Sequence, residues 1–312
     1  MPLRPRRIRR LATPSPNRAL ATIDHFHFPT REIVNDDNRP EFKRKELLVD
    51  GIETSFLEAG SGEPVILLHG GEFGGGAEVC WEATIPALAR HFRVLAPDLL
   101  GFGQTAKLVD FVDGRLRRLR HLARFVEIMG AEGGPCVGNS MGGMLLLFDA
   151  ASEQPLLDPR KIVSIAGGGA LLFDSPHTEA LFAYDGTTGG MRDIARALFH
   201  GEKWVRDDGY VERRRSNSLA PGAWEAVAAA RFRRPAALQD PRPASGIDYA
   251  RISTETLNIA GEKDKIKPSG WWHELVDQME NASFCVIPEA GHCPQSEQPQ
   301  LVNDLLVGFL AK

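Results

Sequence analysis

Ser140 stands in Gly138-Asn-Ser140-Met-Gly142, a G-x-S-x-G sequence that follows a short apolar run and precedes an apolar helical pattern. In that context the serine is a candidate nucleophile. Gly138 and Gly142 allow a strand and a helix to pack closely around a sharp turn that presents the hydroxyl. A free serine hydroxyl is a poor nucleophile, so a base must lie within hydrogen-bond reach. With the chain order serine, acid, histidine, both partners fall downstream. Of nine histidines, only His292 occupies a loop after the final predicted strand, in Ala290-Gly-His292. His273 lies in the helical Trp271-Trp-His-Glu-Leu275 and reads as a packing or surface residue. Gly261-Glu-Lys-Asp264 follows a strand 28 residues before His292, which makes Asp264 the candidate to orient His292 and stabilise its imidazolium, with Glu262 in reserve. The backbone N–H groups of Met141 and of Gly71, in His69-Gly-Gly71, are candidate donors to a developing oxyanion. Asp98 reads as a structural brace for the loop beyond its strand, and Gly74-Gly-Gly76 lacks the acid and helix context of a dinucleotide site.

These residues need a scaffold that brings distant loops together. From Glu46 onward short apolar runs alternate with helical patterns, the signature of a mostly parallel sheet flanked by helices. Residues 54–58 read as an edge strand. Pro64-Val-Ile-Leu-Leu68 reads as a strand buried on both faces, followed by strands at 93–96, 135–137, 162–166, 256–260 and 283–287. The nucleophile, acid and base then sit beyond strand ends, where their loops can meet. The alternation stops past Gly169 for about 75 residues, which read as helices broken by Gly and Pro. The expected organisation is an N-terminal extension over 1–45, a first core part over 46–170, a helical cap over 171–248 and a second core part over 249–312. A last helix from Pro299 places Leu301, Leu305, Leu306, Phe309 and Leu310 on one face.

Composition limits the partners. The chain has 312 residues, 43% hydrophobic and 25% charged, which suits a globular fold with a large core. Apolar runs such as Met144 to Phe148 are far short of the roughly 20 residues of a membrane span. The formal charge is −4, yet residues 1–18 carry Arg4, Arg6, Arg7, Arg9, Arg10 and Arg18 and no acid, so the body is more acidic than the whole. An acidic body argues against binding a phosphate backbone. The basic stretch is open to three readings, a nucleic-acid arm, a transit peptide or a mobile tail; its prolines favour the tail. It lacks the apolar core of a secretory signal. Four cysteines, Cys80, Cys136, Cys285 and Cys293, form neither a disulfide framework nor a metal-ligand spacing, so a reducing cytoplasm is the default expectation. The expected partner is a small-molecule substrate, without membrane, nucleic acid or metal.

Leu68-His-Gly-Gly71, Gly101-Phe-Gly-Gln-Thr105, Gly138-Asn-Ser-Met-Gly-Gly143, Gly261-Glu-Lys-Asp-Lys265 and Gly291-His292 together resemble the α/β-hydrolase fold, and within it the meta-cleavage product hydrolases, carbon–carbon bond hydrolases of aromatic-ring degradation. The resemblance runs from about Glu46 to the C-terminus. It implies a cofactor-independent hydrolysis of a vinylogous 1,5-diketone dienoate to a carboxylic acid and a hydroxypentadienoate, and a homodimer or higher homo-oligomer. It also implies a Ser140-His292-Asp264 triad, an oxyanion held by Gly71 and Met141, and substrate contacts from Gly70, Asn139 and a cap arginine. Arg214 matches that arginine, although Arg213 and Arg215 leave the register open. Two departures bear on substrate: Cys293 follows the histidine where the family usually has Trp, and Glu72-Phe73 follows the glycines where it is usually small and neutral. Cys293 reads as a small pocket-lining residue. An ionised Glu72 in the pocket would repel a dienoate by roughly 1 to 4 kcal/mol near 4 Å. An esterase or lactonase with the same triad is the alternative; a non-catalytic receptor and a cofactor-free oxygenase are further readings of the same fold.

Overall fold

Asp50 and Gly51 take φ of 48° and 80°, the left-handed conformation of a two-residue hairpin turn. They fold β1 (Lys43–Val49) onto β2 (Ile52–Ala59), with Val49 opposite Ile52. The computed structural model describes residues 42–229, 231 and 246–312. The basic stretch at 1–18 and residues 230 and 232–245 of the expected cap lie outside the described residues. Two expectations are corrected here. An extension reaching residue 45 overlaps β1, which begins at Lys43. Residues 54–58 belong to an inner strand, because the charged, half-exposed β1 takes the edge; the Asp50-Gly51 pair is the sequence signal for that extra hairpin.

The sheet has eight strands in the order β1-β2-β4-β3-β5-β6-β7-β8, where β3 is Pro64–Leu68, β4 Arg93–Pro97, β5 Cys136–Asn139, β6 Lys161–Ile165, β7 Glu255–Gly261 and β8 Ala282–Ile287. β1 with β2 and β2 with β4 are antiparallel, and all other neighbours are parallel. Helices α1 (Ala77–Trp81), α2 (Ile85–Leu88), α3 (Gly114–Ile128) and α4 (Met141–Ala150) join the first strands. Between β6 and β7 come α5 (Pro176–Phe182), α6 (Thr188–Leu198), α7 (Lys203–Arg206), α8 (Asp208–Leu219) and α9 (Ala223–Ala229), followed later by α10 (Trp272–Val276), α11 (Pro294–Glu297) and α12 (Pro299–Leu310). The inner strands are nearly continuous apolar runs because both faces are covered. Val65 and Leu67 pack with Ile85, Leu88, Leu305 and Leu306 on one side. Ile66 and Leu68 pack with Leu122, Phe125, Leu145 and Leu146 on the other, as the two-residue period of a strand requires.

β3 has β4 on one side and β5 on the other, so the chain reverses its direction of travel across the sheet between them. Crevices at the carboxyl ends of such strands are where open α/β sheets bind ligands. The helices of the insertion are capped locally: Ser175, Thr187 and Asp207 accept from the N–H groups of His177, Gly190 and Tyr210. Lys265 Nζ donates to Phe199 O (2.8 Å) and Arg196 O (3.0 Å), which ties the carboxyl end of α6 to the loop after β7. No helix among the described residues is long and apolar enough to cross a membrane.

Candidate active site

Ser140 lies between β5 and α4 with φ 50° and ψ −112°, a strained conformation for a side-chain-bearing residue. Its N–H donates to Ile165 O at 2.8 Å and its C=O accepts from Met144 N at 2.8 Å, so the turn is held at both ends. Gly142 permits the packing. A Cβ there would stand 2.3 Å from Leu68 O, with backbone on the opposing side that cannot give way. Gly142→Ala is therefore expected to destabilise the fold by roughly 1–3 kcal/mol or more and to displace Ser140. Thermal unfolding and hydrolytic activity should fall together in that variant.

The histidine and the acid come from loops after β8 and β7. His292 Nε2 lies 2.8 Å from Ser140 Oγ, and His292 Nδ1 lies 2.7 Å from Asp264 Oδ2. The His292 and Asp264 side chains are 1% and 2% exposed. Asp264 Oδ1 accepts from Ile266 N at 3.0 Å. Burial alone would raise the Asp264 pKa, but the charge and hydrogen bond of His292, the Ile266 N–H and the Lys267 ammonium together hold it below the usual carboxylate value. An ionised carboxylate only accepts, so Nδ1 carries the imidazole proton and Nε2 is left to accept from the serine hydroxyl. His292 N donates to Leu198 O (2.7 Å), which secures its loop to α6. Glu262, the reserve acid, points away: its side chain is 44% exposed and pairs with Lys263.

Met141 is the first residue of α4, and its N–H is one of those a helix start leaves without an intrahelical acceptor. Gly71 packs directly on it, since a Cβ at Gly71 would lie 2.7 Å from Met141 Sδ. Both residues, with Ser140 and His292, line a cavity of about 1020 Å³. Apolar side chains including Phe102, Met144, Leu181, Phe182, Leu198 and Val227 form most of its wall. The helical insertion thus covers the serine.

The expected substrate contacts are placed differently. Arg214 is 2% exposed, and its guanidinium donates to Glu72 Oε1 (2.8 Å), Tyr210 Oη (2.9 Å) and Phe73 O (3.2 Å). Gly74, at φ 71°, lets this loop approach α8 so closely that a Cβ would meet Arg214 O at 2.2 Å. Arg213 instead pairs with Glu82 (3.2 Å), and Arg215 with Glu212 (3.3 Å) and Gly186 O (3.1 Å). Glu72 does line the cavity. Burial would raise its pKa, but Arg214 holds the carboxyl below its ordinary value, so the charge that was expected to repel a dienoate is neutralised in place. Asn139 is 1% exposed and donates to Ile165 O (3.3 Å) and His292 O (3.2 Å); its amide braces the histidine loop rather than facing the cavity. Gly70 is buried against the Glu72 carboxylate. Cys293, read as pocket-lining, is buried and not among the residues that line the cavity; it lies 3.8 Å from Asn139 Oδ1, and burial raises its thiol pKa well above the ordinary value, which leaves an inert thiol. His69 donates from Nδ1 to Gly70 O (2.7 Å) and accepts at Nε2 from Leu99 N (2.9 Å), as a neutral strut. Asp98 accepts from Ala77 N, Gln104 N and Arg44, as a brace should.

Cavity-lining cations went unread in the sequence: Arg231 and Lys267, beside Arg115, Arg117 and Arg118 of α3. Arg231 lies over the rings of Phe73 (4.4 Å) and Phe182 (4.9 Å) and donates to Leu181 O. Burial lowers its pKa to about 10 against the opposing pull of Glu72, so it stays charged. Lys267 also lines the cavity. Arg231 opens the basic run Arg231-Phe-Arg-Arg234, which looks like a solvated face, and a single lysine between Ile266 and Pro268 carries no periodic signal.

Residues 65–305 match the alpha/beta hydrolase family. The chain belongs to that family. This α/β hydrolase is 31% identical over 287 residues to the 2-hydroxy-6-oxo-6-(2'-aminophenyl)hexa-2,4-dienoic acid hydrolase of Metapseudomonas resinovorans, covering 90% of this chain and 95% of the relative. It is 32% identical over 267 residues to the 2-hydroxy-6-oxo-2,4-heptadienoate hydrolase of Pseudomonas putida, covering 83% and 95%. Among solved structures, the meta-cleavage product hydrolase of Pseudomonas fluorescens IP01 superposes with a TM-score of 0.75 at 28% identity, over 86% of this chain and 97% of that one. The α/β hydrolase is thus similar to meta-cleavage product hydrolases in both sequence and fold.

Proposed function

We propose that this α/β hydrolase cleaves a carbon–carbon bond in a vinylogous 1,5-diketone dienoate, with Ser140 as nucleophile, His292 as general base and then acid, and Asp264 as the group that orients the ring. The observation that carries the proposal is the hydrogen-bonded row from Ser140 through His292 to Asp264 at the floor of an apolar, covered cavity. The relatives, named as dienoate hydrolases, supply the substrate class.

In the proposed sequence the dienol is first converted to its keto form. Ser140 Oγ then attacks the ketone carbon as His292 Nε2 takes its proton. The carbonyl oxygen becomes an oxyanion held by the N–H groups of Met141 and Gly71. Collapse of the adduct breaks the C–C bond; the electron pair leaves with the dienoate fragment as an enolate carbon, which takes the proton from His292. Water, activated by the same imidazole, hydrolyses the acyl ester and releases the carboxylic acid. The net reaction consumes one water and needs no cofactor.

The carboxylate of the dienoate is assigned to Arg231. Arg214, which the family resemblance points to, is already matched by Glu72, whereas Arg231 lines the same cavity as Ser140 and among the described residues forms no ion pair with a carboxylate. Arg231→Met is expected to raise the KM for a dienoate roughly 10- to 100-fold, the range for a lost hydrogen bond to a charged group, while changing turnover of a neutral ester little. An equal effect on both substrates would remove Arg231 from the carboxylate site.

The neutralised Glu72–Arg214 pair also favours a second reading, a carboxylesterase whose substrate has no acid end. An assay of the purified protein against yellow ring-fission dienoates, beside p-nitrophenyl esters and simple lactones, separates the two. Bleaching of the dienoates supports the C–C hydrolase; turnover of esters or lactones alone overturns it and leaves the esterase.

A further inference from the structure

We infer that Lys267 is a specificity residue, a cation in the cavity wall that reads an anionic or strongly hydrogen-bond-accepting substituent on the acyl half of the substrate, the half that leaves as the carboxylic acid. The assignment rests on the proposed attack by Ser140 on a carbonyl in this cavity.

The placement follows from the order of the strands. Ser140 stands at the end of β5, in the middle of the sheet, with the β3 loop on one side and the β6 and β7 loops on the other. Glu72 lies on the β3 side, and Arg231 spans from Phe73, next to Glu72, to Phe182 and Leu181 O of α5. Lys267 lies on the β7 side, where its Nζ donates to Gly168 O in the loop after β6 and sits 4.4 Å from the ring centroid of Trp271. A substrate whose reacting carbonyl lies over Ser140 must extend both ways, so one end reaches Arg231 and the other reaches Lys267. With the dienoate carboxylate at Arg231, the acyl substituent points to Lys267.

Burying an ammonium is costly unless a partner offsets it. Lys267 is 5% exposed and lines the cavity, yet among the described residues no carboxylate lies within ion-pair distance of its Nζ. The charged group that acts on it is Asp264 on its own loop; Gly168 O and the Trp271 ring are its other neighbours. The Asp264 charge is directed to His292 at 2.7 Å. A single carbonyl and a ring leave donor capacity on an ammonium that carries three N–H groups. Burial lowers its pKa to about 8, the Asp264 charge opposing the shift, so it is charged at neutral pH and loses its charge within reach of an ordinary assay.

The test uses paired substrates that differ only in charge at the acyl end: p-nitrophenyl hemiglutarate against p-nitrophenyl pentanoate, and dienoates with a carboxylate-bearing or an alkyl 6-substituent. Lys267→Met, which keeps the length of the stem, is expected to lower kcat/KM at least tenfold more for the anionic acyl group than for the neutral one. In the wild type, the ratio of anionic to neutral kcat/KM should fall as pH rises from 7 to 9, because protonated Lys267 is lost above about 8 while any change at His292 affects both substrates alike and cancels. That pH series needs no variant and decides the matter if Lys267→Met fails to fold. An equal loss on both substrates would show that Lys267 only supports Asp264, and a pH-independent ratio would show that the acyl group does not meet it; either overturns the inference. Failure of the dienoates alone, with the ester pair still discriminated, would overturn the C–C reading and not the role of Lys267.

Discussion

Ser140→Ala is expected to lower kcat roughly 10⁴- to 10⁶-fold on whichever substrate class the protein turns over, with an unfolding curve close to that of the wild type. The size follows from how such residues act: the serine, the imidazole and the carboxylate work as a unit, so removing the nucleophile forfeits nearly all that the three supply together. The residual rate reflects binding and the oxyanion donors, which the substitution leaves in place. Stability should hold because the lost hydroxyl is partly exposed and its principal partner is His292 Nε2 at 2.8 Å; the backbone bonds of the turn, Ser140 N to Ile165 O and Met144 N to Ser140 O, remain. His292→Ala should match it in rate, and the double variant should be little worse than either single one. Single-turnover kinetics beside thermal unfolding would check this. Retention of most activity in Ser140→Ala would remove the serine from the mechanism and point to direct attack by water on the same carbonyl.

Glu72→Gln is expected to have the largest effect on stability. Arg214 and Glu72 have side chains 2% and 10% exposed and lie 2.8 Å apart. Removing one charge leaves a buried guanidinium without its counter-ion, a change that costs about 3–5 kcal/mol, or a fall in Tm of roughly 10 °C for a chain of this size. The sequence alone suggests the opposite benefit, easier binding of an anionic substrate; the ion pair is the reason to expect a loss instead. Arg214→Met in the same background should recover part of the stability, because two uncharged groups bury more readily than one stranded charge. The pH dependence has a definite sign. Glu72 has a pKa lowered in the fold from its ordinary 4.5, so its contribution is complete above about 4.5 and is lost as pH falls through the lower folded value. Acid unfolding of Glu72→Gln should accordingly be less steep over that interval, and an unchanged profile would show that the pair contributes nothing net.

What could be read without the structure was local in origin. The G-x-S-x-G turn, the runs that become β3 to β8 and the chain order of serine, acid and histidine depend on residues a few positions apart and on one alternation rule, and these placed Ser140, Asp264 and His292 beyond the ends of strands. The first hairpin was missed although Asp50-Gly51 announces it, because β1 is rich in charge and shows no clean alternation. Only the tertiary structure decided how the charges pair. Glu72 and Arg214 are 142 residues apart, and each looks from its neighbours like a cavity-facing ion; that they cancel depends on Gly74 letting a loop rest on the backbone of α8. Asn139, read as a substrate contact, turns to the carbonyls of Ile165 and His292 because the end of β6 and the loop after β8 lie against it. Arg231 and Lys267 gain their place at the cavity in the same way. Spacing along the chain settles which strand end a residue occupies, whereas the direction its side chain takes, and the partner that neutralises it, are set by elements that meet only when the sheet and its covering helices are assembled.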